Sequence, residues 1–357
     1  MISVFVFALV FSTAISLVLN WILLKFSKNL GIRNKNSDNQ QVRWAAQEKP
    51  ALGGIAFFLV FLLSVSIAGF LPSNTDNLFY NQKLIAIIVA TTVGFIIGLA
   101  DDAYNTNPLV KFIGQFTCAF ILILGNLYIE ATGNLAIDYF ITTLWVVGLM
   151  NSINMLDNMD AITTTASLTI LASISFILSK GAYETTSVVL ILGVIGALLG
   201  FLYFNWNPAK MYMGDSGSQF LGVFLAAASI LTIWGERSDY SGIIQLKQFV
   251  LPLLIFTVPL MDTLTVTVRR LMRKQSPFVG GKDHTTHQLV FFGFTEKQTA
   301  LILISIGIVS GVLACLLYVG IIPWTFTTTI LSYAYFFLVF GIMQVVYNIG
   351  KKRHENA

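Results

Sequence analysis

Charge is scarce in this sequence. Only 11% of its 357 residues are Asp, Glu, Lys or Arg, where a soluble globular chain carries about 25%. That deficit excludes an ordinary water-facing surface. Histidine is scarcer, with three residues, and cysteine scarcer still, with two. Cys118 and Cys315 both fall inside apolar runs, so packing roles are expected and a disulfide framework is not. Internal repeats, low-complexity tracts and heptad runs are missing as well. The N-terminus lacks a basic leader and a small-residue cleavage site, so residues 2–24 are expected to persist as a first span.

Apolar residues are what the chain has in plenty, at 56%. Apolar runs of about 20 residues, each long enough to cross a bilayer as a helix, recur along the whole length. Barrel strands would be half as long and would alternate in polarity. Eleven candidate spans lie near 2–24, 51–70, 84–100, 111–129, 136–150, 165–179, 187–204, 219–234, 249–268, 299–320 and 324–349. The expected fold class is therefore all-α, a polytopic membrane helix bundle with about eleven transmembrane helices. It forms a single integral membrane domain over 1–357, because the gaps between runs are too short for a separate soluble unit. The abundant phenylalanine, 29 residues, is read as lipid-facing or packing.

Basic residues orient the bundle. With the N-terminus outside, 17 of the 21 Lys and Arg side chains fall on the cytoplasmic side. Such a bias is what sets membrane topology. It also accounts for the net charge of +4 without invoking nucleic acid. The expectation is a multi-pass protein with its basic C-terminus, Lys351, Lys352 and Arg353, in the cytoplasm.

Polar residues crowd into the loops of that same side, at 26–50, 101–110, 151–164, 205–218 and 269–298. Lys49-Pro50-Ala51-Leu52-Gly53-Gly54 opens the second span, where a Gly pair permits close backbone approach and Lys49 can meet a phosphate or snorkel. Asp101 and Asp102 close the third span. Unpaired carboxylates are expensive at a membrane boundary, so a divalent cation or a proton transfer would justify them. Adjacent helical positions point about 100° apart, so the two need not share a role. Lys111 and Gln115 follow at the next span, and Lys111 is either a phosphate contact or an interfacial anchor. Asn151, Asn154, Asp157 and Asp160 recur every third residue and make one polar stripe. Asp215 stands between glycines in Met213-Gly214-Asp215-Ser216-Gly217-Ser218, which suits metal and phosphate but lacks the Lys and spacing of a P-loop. His284 and His287 lie three residues apart with no cysteine beside them, so phosphate contact or proton transfer fits better than zinc. Asp262, inside the ninth span, is either a functional carboxylate or the partner of a neighbouring polar group.

These segments, in this order and on one side, resemble the polyprenyl-phosphate N-acetylhexosamine-1-phosphate transferases. The combination of Asp101-Asp102, Asn151-x-x-Asn154-x-x-Asp157, Phe204-Asn205-x-x-Pro208-Ala209 and Met213–Ser218 carries the resemblance, which covers Lys49 to His287. It implies that HexNAc-1-phosphate, GlcNAc-1-phosphate as the first candidate, passes from a UDP-sugar to undecaprenyl or another polyprenyl phosphate. UMP leaves, and a cell-envelope polysaccharide of the lipopolysaccharide or O-antigen kind is initiated at the bacterial inner membrane. It implies Mg²⁺, with Mn²⁺ as the alternative, bound by Asp215 and Asp102. Asp101, Asp102 and His284 would be catalytic. Lys49, Lys111, Asn154, Asp157, Asp160, Asn205 and His287 would bind substrate. The partners implied are UDP-N-acetylhexosamine, the polyprenyl phosphate and membrane lipid; a homodimer is compatible, and nucleic acid is not implied. The chain departs from the family pattern at three places. Asn158 and Ala161 stand where the third segment has glycines, and Thr286 stands where the histidine segment has its middle histidine. Thr286 argues against the phospho-N-acetylmuramoyl-pentapeptide transferase branch. A secondary transporter is the competing reading. Carriers place ionisable groups near the bilayer midplane on repeat-related broken helices, whereas here the acids cluster at helix ends.

Overall fold

In the computed structural model the described residues are 2–29, 49–69, 81–181, 185–234, 246–275 and 283–355. Most of the 26–50 loop and residues 276–282 therefore lie outside them. Thirteen α-helices run through the described residues: α1 Ile2–Asn29, α2 Gly53–Gly69, α3 Gln82–Tyr104, α4 Pro108–Leu124, α5 Leu135–Leu156, α6 Ile162–Leu178, α7 Thr185–Asn205, α8 Gly214–Thr232, α9 Val250–Ile255, α10 Thr257–Met272, α11 Thr285–Phe292, α12 Glu296–Tyr318 and α13 Phe326–Glu355. Among them the one extended pairing is a parallel bridge between Ala51 and Tyr212. The protein is all-α, as its composition requires.

Each apolar run becomes a helix, except the ninth, which becomes a pair. By length and composition six helices can cross a membrane, or seven if the bent α9–α10 pair counts as one span; α2, α4 and α6 are shorter apolar helices. The ninth segment was expected as one span, yet it bends by 95° at Phe256. Pro259 explains the break. It has no N–H to donate to the carbonyl four residues back and its ring would clash there, but it is tolerated in the first turn of a new helix. Several helix starts are written in the sequence. Asn81, Asn107 and Asn134 side chains accept backbone N–H groups at the starts of α3, α4 and α5. Thr295 and Gln298 form a capping box on α12.

Helix α8 is the hub. It packs against α2, α3, α5 and α6, and nearly its whole length is buried. An enclosed helix must be apolar or internally paired all round, and α8 is rich in Gly, Ala, Leu and Phe after its polar first turn. That first turn is pressed against the end of α3. A Cβ at Gly98 would lie 2.1 Å from the backbone oxygen of Asp215. Only a residue without a side chain lets α3 approach α8 this closely. The chain just before α8 is also joined to the start of α2: Gly53 and Gly54 donate to the carbonyls of Tyr212 and Met213 at 3.0 and 2.9 Å.

The contact at Gly98 makes a prediction. Gly98→Ala should destabilise the protein by about 3 kcal/mol, the upper range for overpacking a tight contact. Thermal unfolding in detergent measures it, and an unchanged midpoint would show that the α3–α8 approach is not as tight as described.

Candidate active site

Asp101 and Asp102 end α3 and point apart. Asp102 turns to α8, where its Oδ1 accepts the backbone N–H of Asp215 at 2.8 Å and its Oδ2 that of Ser216 at 2.9 Å. The residue before α8, Met213, offers no side-chain cap. Asp102 thus satisfies orphan N–H groups of a helix start from another helix, and its charge suits the positive end of the α8 dipole. Gly214, at φ +74, makes the turn that presents those amides. Asp101 turns the other way. Its Oδ1 accepts the N–H and hydroxyl of Thr106 at 2.9 and 2.5 Å. Its Oδ2 accepts Lys111 Nζ at 2.7 Å.

Lys111 Nζ donates to Asp215 Oδ2 as well, at 2.9 Å. Asp215 Oδ1 accepts Asn154 Nδ2 at 2.8 Å, and that amide also reaches Ser218 Oγ at 2.9 Å. Asp101, Lys111, Asp215 and Asn154 therefore meet at one place. The three charged side chains keep 10–16% exposure, enough for a ligand to reach them. Beneath lies a buried amide network in which Gln115 bonds to Asn151 at 2.7 Å and to Gln219 at 3.1 Å.

The second part of the site surrounds the turn 157–161. Asp160 Oδ2 accepts Ala209 N–H at 2.8 Å and Asn207 Nδ2 at 3.2 Å. Lys49 Nζ lies 3.8 Å from it and 5.3 Å over the Tyr212 ring. Lys49 thus sits beside Asp160 rather than between Asp101 and Asp215. Asn207 also donates to Glu296 at 2.7 Å. Asn205 is buried and occupied: its Oδ1 accepts Thr164 Oγ1 and Ala161 N–H at 2.7 and 3.2 Å, and its Nδ2 donates to the Met211 carbonyl at 3.1 Å. It clamps three segments together. Asp157 caps α5, its N–H on the Asn154 carbonyl. Ala161 holds a left-handed conformation at φ +65, so the turn keeps a glycine's geometry without the glycine.

The third part is α11. His284 Nδ1 lies 2.8 Å from Asp262 Oδ2, and Asp262 Oδ1 accepts the Thr285 N–H at 2.8 Å. Asp262 thus has a polar partner, and that partner is the candidate catalytic His284. His287 is buried with its ring centroid 5.5 Å from that of His284. Arg270 grips Asp283 with two bonds at 2.8 and 2.6 Å. Burial would raise the Asp283 pKa, but the hydrogen bonds and charge of Arg270 outweigh it and hold it below the usual carboxylate value. Thr286 Oγ1 donates to Asn158 Oδ1 at 2.6 Å. Helix α13 flanks the far end, where Arg353 donates to the Phe292 carbonyl. The 151–161 segment thus touches both remaining parts, through Asn154 on one side and Asn158 on the other. Asn207, Glu296, Arg270 and Asp283 had no sequence signal, because their partners lie 13 to 89 residues away.

The carboxylates can be tested as a cation seat. Asp101 and Asp215 already hold a positive charge between them, the Lys111 ammonium. Among the described residues no three or more His, Cys, Asp or Glu side chains form a ready metal cage. Mg²⁺ does not ask for one; it takes one or two carboxylates and completes its shell with substrate phosphates and water. The donor set fits such an ion.

The model for glycosyl transferase family 4 matches residues 84–233. A probable undecaprenyl-phosphate N-acetylglucosaminyl 1-phosphate transferase of Bacillus subtilis is 30% identical over 280 residues, 75% of this chain and 73% of that protein. A decaprenyl-phosphate N-acetylglucosaminephosphotransferase of Mycobacterium tuberculosis is 32% identical over 288 residues, 73% of this chain and 70% of that protein. A phospho-N-acetylmuramoyl-pentapeptide-transferase of Staphylococcus haemolyticus is 28% identical over 302 residues, 76% and 85% of the two chains.

Two substitutions test the geometry through stability. Asp102→Ala strips two charge-assisted bonds from the start of α8 and should cost about 2–3 kcal/mol, whereas Asp101→Asn keeps an amide oxygen for Thr106 and should cost less, about 1 kcal/mol. Equal losses would contradict the capping role. Ala161→Gly relieves a left-handed alanine, worth about 1–2 kcal/mol, against an entropy cost of about 0.5–1 kcal/mol. A small rise in unfolding temperature is expected, and a fall would mean that the turn is not strained.

Proposed function

The chain belongs to glycosyl transferase family 4, and from that membership and the site's geometry we propose that it transfers HexNAc-1-phosphate from a UDP-sugar to undecaprenyl or another polyprenyl phosphate. The supporting observation is the meeting of Asp101, Lys111, Asn154 and Asp215 within 2.7–2.9 Å. GlcNAc is the sugar named for the relatives at 30 and 32% identity, and the muramoyl-pentapeptide relative is at 28%. GlcNAc-1-phosphate is therefore the first donor group to try. The transporter reading has no counterpart among those relatives.

The reaction needs little covalent chemistry from the protein; it needs positioning and charge neutralisation. An oxygen of the lipid phosphate attacks the β-phosphorus of the UDP-sugar. The bond from that phosphorus to the bridging oxygen breaks, and UMP carries the bridging oxygen away. A dianionic lipid phosphate has no proton to lose; a monoanionic one gives its proton to a carboxylate. Asp101 suits that role better than Asp102 once Lys111 turns to a phosphate and frees its Oδ2, because both Asp102 oxygens stay on backbone amides. Lys111 can turn from the carboxylates to a phosphate, and Lys49 can do the same from Asp160.

Two carboxylates, Asp101 and Asp215, face one ammonium here, with the Asp102 carboxylate close by on the start of α8. Such an excess repels a diphosphate unless another cation joins. Asp215 and Asp102 are the residues expected to hold Mg²⁺ or Mn²⁺, and Asp101 stands beside Asp215 across Lys111, where it would add a third carboxylate. When bound, the ion neutralises charge on the phosphate oxygens. The bias of the basic side chains supports a cytoplasmic face, with the N-terminus outside and the C-terminus inside, and the reading puts the protein in a bacterial inner membrane. The substrates agree, since nucleotide sugar is cytoplasmic and polyprenyl phosphate is in the bilayer. The product would initiate a cell-envelope polysaccharide.

Purified protein in detergent should release UMP from UDP-GlcNAc when undecaprenyl phosphate and Mg²⁺ are present. Chelation should stop it and Mg²⁺ restore it. Asp215→Asn should lower kcat by about 10²–10³-fold, the scale for removing one electrostatic stabiliser. A folded wild-type protein that releases UMP from no UDP-HexNAc would end the reading.

A further inference from the structure

The hydrogen bond between Thr286 and Asn158 joins two positions 128 residues apart, both buried, at 2.6 Å. Its direction is fixed. Asn158 Nδ2 donates to the Met155 carbonyl at 2.9 Å, so the amide oxygen is the atom that faces Thr286. This contact of α11 crosses to the polar stripe, beside the apolar packing of Leu289 with Leu156 and Met159. His284 and Thr285 also tie α11 to Asp262 on α10, and Phe292 ties it to Arg353 on α13. Thr286 is two residues from His284, and Asn158 lies between Asp157 and Asp160. The contact therefore ties the backbone that carries His284 to the stripe, while Asp262 holds the imidazole itself.

We propose that Asn158 and Thr286 act as one positioning pair that registers His284 against the 157–160 turn during sugar-phosphate transfer. The proposal rests on the transferase reading above. Both residues are departures from the family pattern, and both meet in this contact. A Gly–His pair and an Asn–Thr pair differ by a single side-chain heavy atom. The space that an imidazole would fill over a glycine is shared here between an amide and a hydroxyl. Neither half of the exchange suits the site alone. Glycine at 158 leaves the Thr286 hydroxyl without its acceptor in a buried place, and histidine at 286 collides with the amide. Buried polar groups stripped of a partner are costly, and a small displacement of a catalytic group costs far more in rate than in stability.

The test uses the full-length protein, UDP-GlcNAc and undecaprenyl phosphate. Thr286→Val keeps the shape and removes the donor. It should lower kcat about tenfold or more while KM for undecaprenyl phosphate stays near wild type. Thr286→Ser, which keeps the hydroxyl, should stay within about threefold of wild type. Asn158→Gly and Thr286→His should each lose activity, and the double variant should recover most of it, because the two sites are coupled. Hydrogen exchange across 285–292 should quicken in Thr286→Val. Wild-type kcat and exchange in Thr286→Val would overturn the proposal, as would additive losses in the double variant. A wild-type protein without UMP release, but with the expected exchange difference, would overturn the transferase reading and leave the contact a purely structural one.

Discussion

The carboxylate of Asp102 on the first turn of α8 is the contact from which the site is built. A helix start leaves backbone N–H groups without partners, and α8 begins inside the protein, where water cannot supply them. The chain solves this with an acid from the end of another helix. Once Asp102 is spent on that bond, its neighbour must point elsewhere, because adjacent helical residues diverge. Asp101 is thereby aimed at Lys111, and the same clamp carries Asp215 to the other side of the ammonium. One capping interaction converts a pair of equivalent-looking acids into two with different work.

The clamp in turn requires bare backbone. Gly98 faces the carbonyl of Asp215 and Gly214 takes up a left-handed turn, so that α3 and α8 approach within ordinary reach of a short Asp side chain. A longer acid could bridge a wider gap, but with more rotamer freedom to lose. The short side chain and the close helices belong together. They also explain why the site sits at helix ends. Ends supply amides, turns and exposed edges, while the apolar shafts below supply rigidity and lie within the membrane-facing bundle.

The sequence was most legible where a single local rule decides. Apolar length located the helices, Asn and Thr marked their starts, and the divergence of adjacent helical positions separated the roles open to Asp101 and Asp102. The break at Phe256 had a local cause too, Pro259, but apolar length outweighed it in the reading of the ninth segment. Asp262 was undecidable from its own surroundings, because its partner His284 arrives 22 residues later on α11. Asn205 shows the opposite limit. Its motif pointed to substrate, and in the structure its amide meets Thr164, Ala161 and Met211. A motif records that a residue type is needed; it does not say whether the need is contact with substrate or closure of the loops that make the contact.

The replaced glycines make the same point from the side of backbone conformation. A glycine in a motif is commonly there because φ is positive, and at 161 that condition holds with an alanine in its place. The turn is held from outside: Asn205 accepts the Ala161 N–H, and Asp160 is fixed to Ala209. A conformation supported on both flanks can carry the strain of a Cβ, which is at most about 2 kcal/mol. At 158 a different condition applies, since φ there is not in the left-handed region and the position faces α11. What matters at that place is the volume and polarity of what stands opposite, and Thr286 answers an asparagine there. The two positions look alike as letters in a pattern. One is constrained by the backbone and the other by its neighbour, so the first tolerates substitution by itself and the second changes only in company.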